Sequence, residues 1–106
     1  MYRGKKIALT IPARNEERLI GPTLESVPET IDRIYVIDDG STDGTQAQIK
    51  KYRGADPRIE LLVHAGNKGV GQAIISGYLR SSQDGYDITV VVGGDNQMPL
   101  EQVEDL

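Results

Sequence analysis

Val36-Ile37-Asp38-Asp39-Gly40-Ser41-Thr42-Asp43-Gly44-Thr45 changes character halfway along. The apolar run from Ile34 ends in two carboxylates, then a glycine, then small hydroxyl and acidic residues. A buried strand reads this way when it carries acidic side chains to the rim of a sheet and turns into a helix. Thr42 or Asp43 is placed to cap that helix. Adjacent strand residues point to opposite faces, so Asp38 and Asp39 are not expected to act as a pair. One should reach a ligand crevice, and the other should hold the turn by accepting backbone N–H bonds. An acidic side chain at a strand end is well placed to accept from a base or from ribose hydroxyls. Asp39 is assigned that role and Asp38 the structural one.

Outward from this centre, strand and helix patterns alternate. Residues 5–11 read as a first strand, followed by the loop Pro12-Ala13-Arg14-Asn15-Glu16-Glu17. Gly21-Pro22 opens a helix, since proline suits the first helical position. It runs to about Val27 and stops before Pro28. Residues 31–38 form the second strand, and 43 to about 52 the second helix, with Ala47 and Ile49 as its few apolar contacts. Residues 58–64 are a third strand. Gly66-Asn67-Lys68-Gly69-Val70-Gly71 opens a third helix, about 72–82, with an apolar face of Ala73, Ile74, Tyr78 and Leu79. Residues 88–92, apolar apart from Thr89, read as a central fourth strand, and Pro99 starts a last acidic helix. A connection of helix length separates each pair of strands. The expected fold is α/β: a Rossmann-like parallel sheet of about four strands, with right-handed crossovers and helices on both faces.

The 106 residues suffice for one small domain. With 38% hydrophobic and 26% charged residues, it should fold around a modest core. No cysteine is present, which excludes disulfides and thiolate chemistry within the chain. A net charge of −4 argues against a general nucleic-acid surface. No apolar run approaches the ~20 residues of a membrane helix, and the basic start reads as a strand, not a signal peptide. A cytoplasmic placement is expected, with any hold on the inner face of a membrane coming from C-terminal segments beyond this stretch.

In an open parallel sheet, ligands bind beyond the carboxyl ends of the strands, and the polar residues gather there. Asn15-Glu16-Glu17 follows the first strand, Asp38, Asp39 and Ser41 the second, Asn67, Lys68 and Gly69 the third, and Asp95, Asn96 and Gln97 the fourth. Glu17 reads as a helix cap, while Glu16 reads as a ligand contact. Gly66-Asn67-Lys68-Gly69-Val70-Gly71 resembles a phosphate-cradling turn at a helix start, but its spacing fits neither the phosphate loop nor the dinucleotide fingerprint. Gly69 and Gly71 read as turn glycines, and Lys68 either meets a phosphate or is solvated charge. His64, the only histidine, has no evident hydroxyl or acid partner and reads as a strand-end residue. After the fourth strand, Asp95 either suits Mg²⁺ or Mn²⁺ bound through substrate phosphates or bonds to the backbone of its own turn.

Taken in order, four stretches resemble the N-terminal half of the family-two glycosyltransferases with the GT-A fold. They are similar in particular to the subgroup that includes dolichol- and polyprenyl-phosphate sugar synthases. The stretches are Ile11-Pro12-Ala13-Arg14-Asn15-Glu16-Glu17, the opening segment Val36 to Thr45, Asn67-Lys68-Gly69-Val70-Gly71-Gln72-Ala73, and Val91-Val92-Gly93-Gly94-Asp95-Asn96-Gln97-Met98-Pro99. The resemblance implies that Pro12 and Glu16 touch the nucleotide and that Asp39 recognises the base. It also implies that Asp95 and Gln97 hold a divalent metal, Mg²⁺ or Mn²⁺, on the diphosphate. Arg14, Asn67, Lys68, Gly69 and Gly94 complete the expected nucleotide-sugar set. The implied chemistry is attack by an acceptor hydroxyl or polyprenyl phosphate on the anomeric carbon while the metal stabilises the departing nucleoside diphosphate. Two positions depart from the family. Gly93 replaces the first acidic residue of the metal motif, so the site leans on phosphate oxygens and water. Arg14 stands where an aromatic residue is common, and it either stacks on the base, pairs with phosphate or faces solvent.

In the family the acceptor site and the base lie further along. Residues 1–106 are therefore expected to be a single nucleotide-sugar-binding domain, truncated before the acceptor half, with its catalytic residue unknown. Such a domain belongs to cell-envelope or glycan synthesis. On its own it should bind a nucleoside diphosphate weakly and transfer no sugar. The edge of the strand at 88–92 is expected to drive self-association. Three rivals remain. A sugar-1-phosphate nucleotidyltransferase would carry a Gly-rich loop directly after its first strand. A phosphoacceptor signalling domain would place acidic residues after the first and third strands. A non-catalytic nucleotide-binding or assembly module would bind without needing a metal.

Overall fold

The computed structural model describes residues 3–92. The elements are β1 (Ile7–Ala13), α1 (Ile20–Glu25), β2 (Arg33–Asp38), α2 (Thr45–Ala55), β3 (Ile59–Val63), α3 (Val70–Gln83) and β4 (Ile88–Val91). The strands form one sheet in the order β3-β2-β1-β4. Every pairing is parallel, with Ala8 opposite Arg33, Ile34 opposite Ile59 and Ile7 opposite Ile88. This is the expected four-stranded parallel sheet. The expected last helix, from Pro99, lies outside the described residues.

Alternation along the strands divides the core in two. Ile7, Leu9, Ile11 and Ala13 of β1, with Ile34 and Val36 of β2, pack against Ile20 and Leu24 of α1 and Ile49 of α2. On the opposite face, Ala8, Tyr35 and Ile37 pack against Ala73 of α3. Helices therefore cover both faces, α1 and α2 on one and α3 on the other. The first face is filled by large aliphatic side chains. The second carries the large Tyr35 and Ile37 beside the small Ala8 and Thr10, and α3 meets it with the stripe Ala73, Gly77 and Ser81. A Cβ on Gly77 would lie 2.7 Å from Thr10 Oγ1 and 2.9 Å from Ile37 Cδ1.

That close approach corrects the expected inner face of α3. Tyr78 and Leu79 are 58% and 52% exposed, while Ala73 and Gly77 are buried. With Thr10 and Ile37 pressed against it, the helix presents its smallest stripe to the sheet, not its most apolar one. Ala47 is likewise exposed, leaving Ile49 as the buried apolar anchor of α2. β4 is an outer strand among the described residues, and β1 and β2 hold the centre. With one strand neighbour and a flanking core, the four residues of β4 are each half-buried. Pro12 and Ala13 belong to β1, opposite Ile37 and Asp38, and not to the loop after it. Pro22 is the third residue of α1, where its missing N–H is still an unpaired first-turn position.

Overpacking at the α3–β1 contact should be costly. Gly77→Ala is expected to lower the unfolding free energy by about 1–3 kcal/mol in urea titration. Thr10→Val removes a buried hydroxyl that has no partner among the described residues. That variant is expected to match or exceed the parent in stability.

Candidate functional site

Parallel strands present all their carboxyl ends on one edge of the sheet. The loops after β1, β2 and β3 therefore share a rim, and the hydrogen bonds show how they are joined. Asn15 takes a left-handed conformation (φ 53°), which asparagine tolerates. Its N–H donates to Ser41 Oγ at 2.9 Å, and its Oδ1 accepts the Thr42 N–H at 2.9 Å. The Glu16 N–H donates to Thr45 Oγ1 at 2.9 Å, and the Glu17 carboxylate accepts the Gly44 N–H. Asp43 Oδ1 accepts the Thr45 N–H at 3.0 Å. The first loop is thus stitched to the second, and Glu17 caps the start of α2 instead of its own helix.

Asp38 and Asp39 are both buried, and they leave β2 on opposite faces. Asp38 points toward α2, where it accepts from Gln46 Nε2 and, at 3.3 Å, from the Ser41 N–H. Asp39 points toward α3. Its Oδ1 accepts from His64 Nδ1 at 2.9 Å and from the Lys68 N–H at 2.9 Å. Its Oδ2 accepts the Gly69 N–H at 2.8 Å. Gly69 is the residue before α3, so the carboxylate also sits at the favourable end of the helix dipole. The two aspartates do separate, but backbone anchoring is not left to Asp38 alone: Asp39 accepts two backbone N–H bonds. Burial pushes the Asp39 carboxyl up, and the bonds from His64, Lys68 and Gly69 together outweigh it and hold the group below the usual range. A carboxylate has about four acceptor positions. The described residues fill three on Asp39, leaving one on Oδ2.

The third loop comes close behind. Gly40 has φ 78°, and a Cβ there would lie 2.7 Å from the Gly66 carbonyl carbon and 2.8 Å from Asn67 N. Gly66 and Gly69 also take positive φ, whereas Gly71 lies within α3. Asn67 Oδ1 shares the Gly69 N–H at 3.0 Å. Asn67 and Lys68 are exposed, as is Arg14, while Pro12 and Glu16 are half-buried. An open depression of about 580 Å³ is lined by Asn15, Glu16, Glu17, Arg18, Leu19 and Asp43. It takes in Glu16 but not Asp39. Gly94, Asp95 and Gln97 lie outside the described residues. Among the described residues, no three His, Cys, Asp or Glu side chains converge as a metal site.

One partner set was not legible. His64, expected to stand alone, joins Asp39 through Nδ1 and Ser76 Oγ through Nε2, the latter at 2.8 Å. The usable signal was register. Val63 lies opposite Asp38, so the next residues on the two strands, His64 and Asp39, fall side by side.

These contacts set an acid limit. The Thr45 hydroxyl holds the Asp43 carboxyl low, as the donors around Asp39 hold that group. Their unfolded value is about 3.9. Depressed carboxyls contribute stability that is full above that value and lost as pH falls through the folded one. Unfolding free energy should therefore be level near neutrality and fall below about pH 4. Asp39→Asn should flatten the acid limb and cost about 1–3 kcal/mol at pH 7, read by urea titration across pH.

The family model described as glycosyl transferase family 2 matches residues 9–106. The chain is 32% identical over 106 residues to the UDP-N-acetylglucosamine–dolichyl-phosphate N-acetylglucosaminyltransferase of Methanococcus voltae, covering 88% of this chain and 42% of that protein. It is 30% identical over 105 residues to the undecaprenyl-phosphate mannosyltransferase of Micrococcus luteus, covering 95% and 42%. The chain thus spans about two fifths of the length of these curated relatives. Its fold is similar to that of a mannosyltransferase from Pyrobaculum calidifontis in complex with GDP-Man and Mn²⁺, with a TM-score of 0.78 at 21% identity over 94% of this chain and 30% of that one. It is also similar to the glucosyl-3-phosphoglycerate synthase of Mycobacterium tuberculosis in complex with Mn²⁺, UDP and glucosyl-3-phosphoglycerate. There the TM-score is 0.67 at 25% identity, over 92% of this chain and 37% of that one. These are GT-A glycosyltransferase folds. With a family match from the first strand onward and a sheet on the same plan, the chain belongs to glycosyl transferase family 2.

Proposed function

We propose that this chain is the nucleotide-sugar-binding part of a glycosyltransferase that moves a sugar from a nucleoside diphosphate to an acceptor hydroxyl or a polyprenyl phosphate. The observation that carries this reading is the held carboxylate of Asp39 at a rim shared by three loops, in a family-2 sheet. An ionised, buried and oriented acceptor with one position left unfilled by the described residues suits the N–H edge of a base or a ribose hydroxyl. Pro12, Arg14 and Glu16 on one side, and Asn67, Lys68 and Gly69 on the other, would border the nucleotide. The names of the relatives point to polyprenyl phosphates as the acceptor class.

The described residues do not by themselves form a cation site. Asp95 and Gln97, with Gly94 beside them, are proposed to hold Mg²⁺ or Mn²⁺, and such an ion would stabilise charge on the departing diphosphate. In the transfer, an acceptor oxygen bonds to the anomeric carbon as the bond to the nucleoside diphosphate breaks. Among the described residues this chain's part is to bind and orient the donor. Among them, no helix is long and apolar enough to cross a membrane. The outer edge of β4 is proposed as a place where another strand is added.

Calorimetric titration with GDP and UDP tests the reading. Binding is expected to be at least several-fold tighter with Mn²⁺ than with a chelator, and Asp39→Ala is expected to weaken it about tenfold or more. An Asp39→Ala chain that binds both nucleotides as tightly as the parent would contradict it. For the β4 edge, light scattering should show mass rising with concentration, and a monodisperse monomer at high concentration would refute that contact.

A further inference from the structure

The donor-binding reading leaves one arrangement unused, the side chains stacked behind Asp39. His64 is the only histidine in the chain, and both of its ring nitrogens are engaged. Nδ1 lies 2.9 Å from Asp39 Oδ1, and Nε2 lies 2.8 Å from Ser76 Oγ. The side chains of His64 and Asp39 are 12% and 5% exposed. An ionised carboxylate only accepts, so Nδ1 must carry the hydrogen. In the neutral ring Nε2 is then the acceptor and takes the Ser76 hydroxyl proton. The order Ser76–His64–Asp39 also matches that of a hydrolytic triad. Ser76 lies within α3 (Val70–Gln83), where neighbouring backbone N–H groups are committed to the helix, so the helix around it offers no backbone donor for an oxyanion. The arrangement is suited to orientation, not to nucleophilic attack.

We propose that His64, braced by Ser76, is a positioning residue that fixes the plane of the Asp39 carboxylate, and with it the direction of the acceptor position offered at the rim. This rests on the nucleotide-binding reading above. The other two donors to Asp39, the N–H groups of Lys68 and Gly69, belong to a loop with left-handed glycines at 66 and 69. His64 instead directly follows β3, with its own N–H bonded to Asp38 O at 2.9 Å, and Ser76 is carried on a helix. Side chains mounted on rigid elements define an angle that a loop alone does not.

A single histidine makes the test direct. Long-range proton–nitrogen NMR of the imidazole, at a pH where the ring is neutral, should show the Nδ1–H tautomer. His64→Ala should weaken GDP or UDP binding about tenfold. His64→Asn, whose amide nitrogen replaces Nδ1 as a donor, should recover most of that loss. Ser76→Ala should fall between the parent and His64→Ala. Thermal unfolding of each variant separates this pattern from a purely structural effect, in which affinity would follow stability and the asparagine would not rescue. A ring carrying Nε2–H, or a His64→Ala chain that binds as tightly as the parent, overturns the positioning role and leaves the nucleotide reading standing. A parent chain that binds neither GDP nor UDP overturns both.

Discussion

The Asp39 carboxylate, tied to the N–H groups of Lys68 and Gly69, is the contact on which the rim depends. It joins the end of β2 to the start of α3 across a gap of 29 residues in the chain. Without it, the Lys68 N–H would lose its charged acceptor and the Gly69 N–H would keep only Asn67 Oδ1. Gly40 fits the same constraint. The loop that follows Asp39 passes so close to Gly66 and Asn67 that a side chain at position 40 would have no room. On the other side, Asn15, Glu16 and Glu17 bond to Ser41, Thr42, Gly44 and Thr45, so the three loops form one connected edge.

The two faces of the sheet contribute differently to that edge. Large aliphatic residues under α1 and α2 supply most of the core. Under α3, Ala8, Tyr35 and Ile37 meet Ala73 and Gly77, whose small size brings the helix close to the sheet. Close packing here has a consequence at the rim. It sets α3 at the height where Ser76 reaches His64 and Gly69 reaches Asp39. Stability on this face and geometry at the site therefore both rest on the stretch from Gly69 to Gly77.

Much of this was legible from residues alone. Strand and helix patterns placed all seven described elements within a few residues. The period of two along β2 separated Asp38 from Asp39. What was not legible has physical causes. Apolar character marked β4 as buried but carried no information on whether its second edge is paired. For α3, hydrophobicity pointed to Tyr78 and Leu79, whereas close contact with Thr10 and Ile37 selected Gly77. The stitches between the first two loops and the contacts of His64 join residues far apart in the chain, and such pairings follow from register and topology, not from local pattern. The resemblance to family-two glycosyltransferases was carried by the rim stretches themselves, and the family match bears it out.

Nucleotide binding, orientation of Asp39 and the joined loops all require that three separate turns act as one surface. The most direct measurement is amide chemical-shift mapping of the nitrogen-labelled chain during titration with UDP or GDP in the presence of Mg²⁺. Residues 13–16, 39–41 and 64–69 are expected to shift together with a single saturation curve. Shifts confined to one of these loops, or gathered at the amino-terminal edge of the sheet around residues 56–58, would contradict the account.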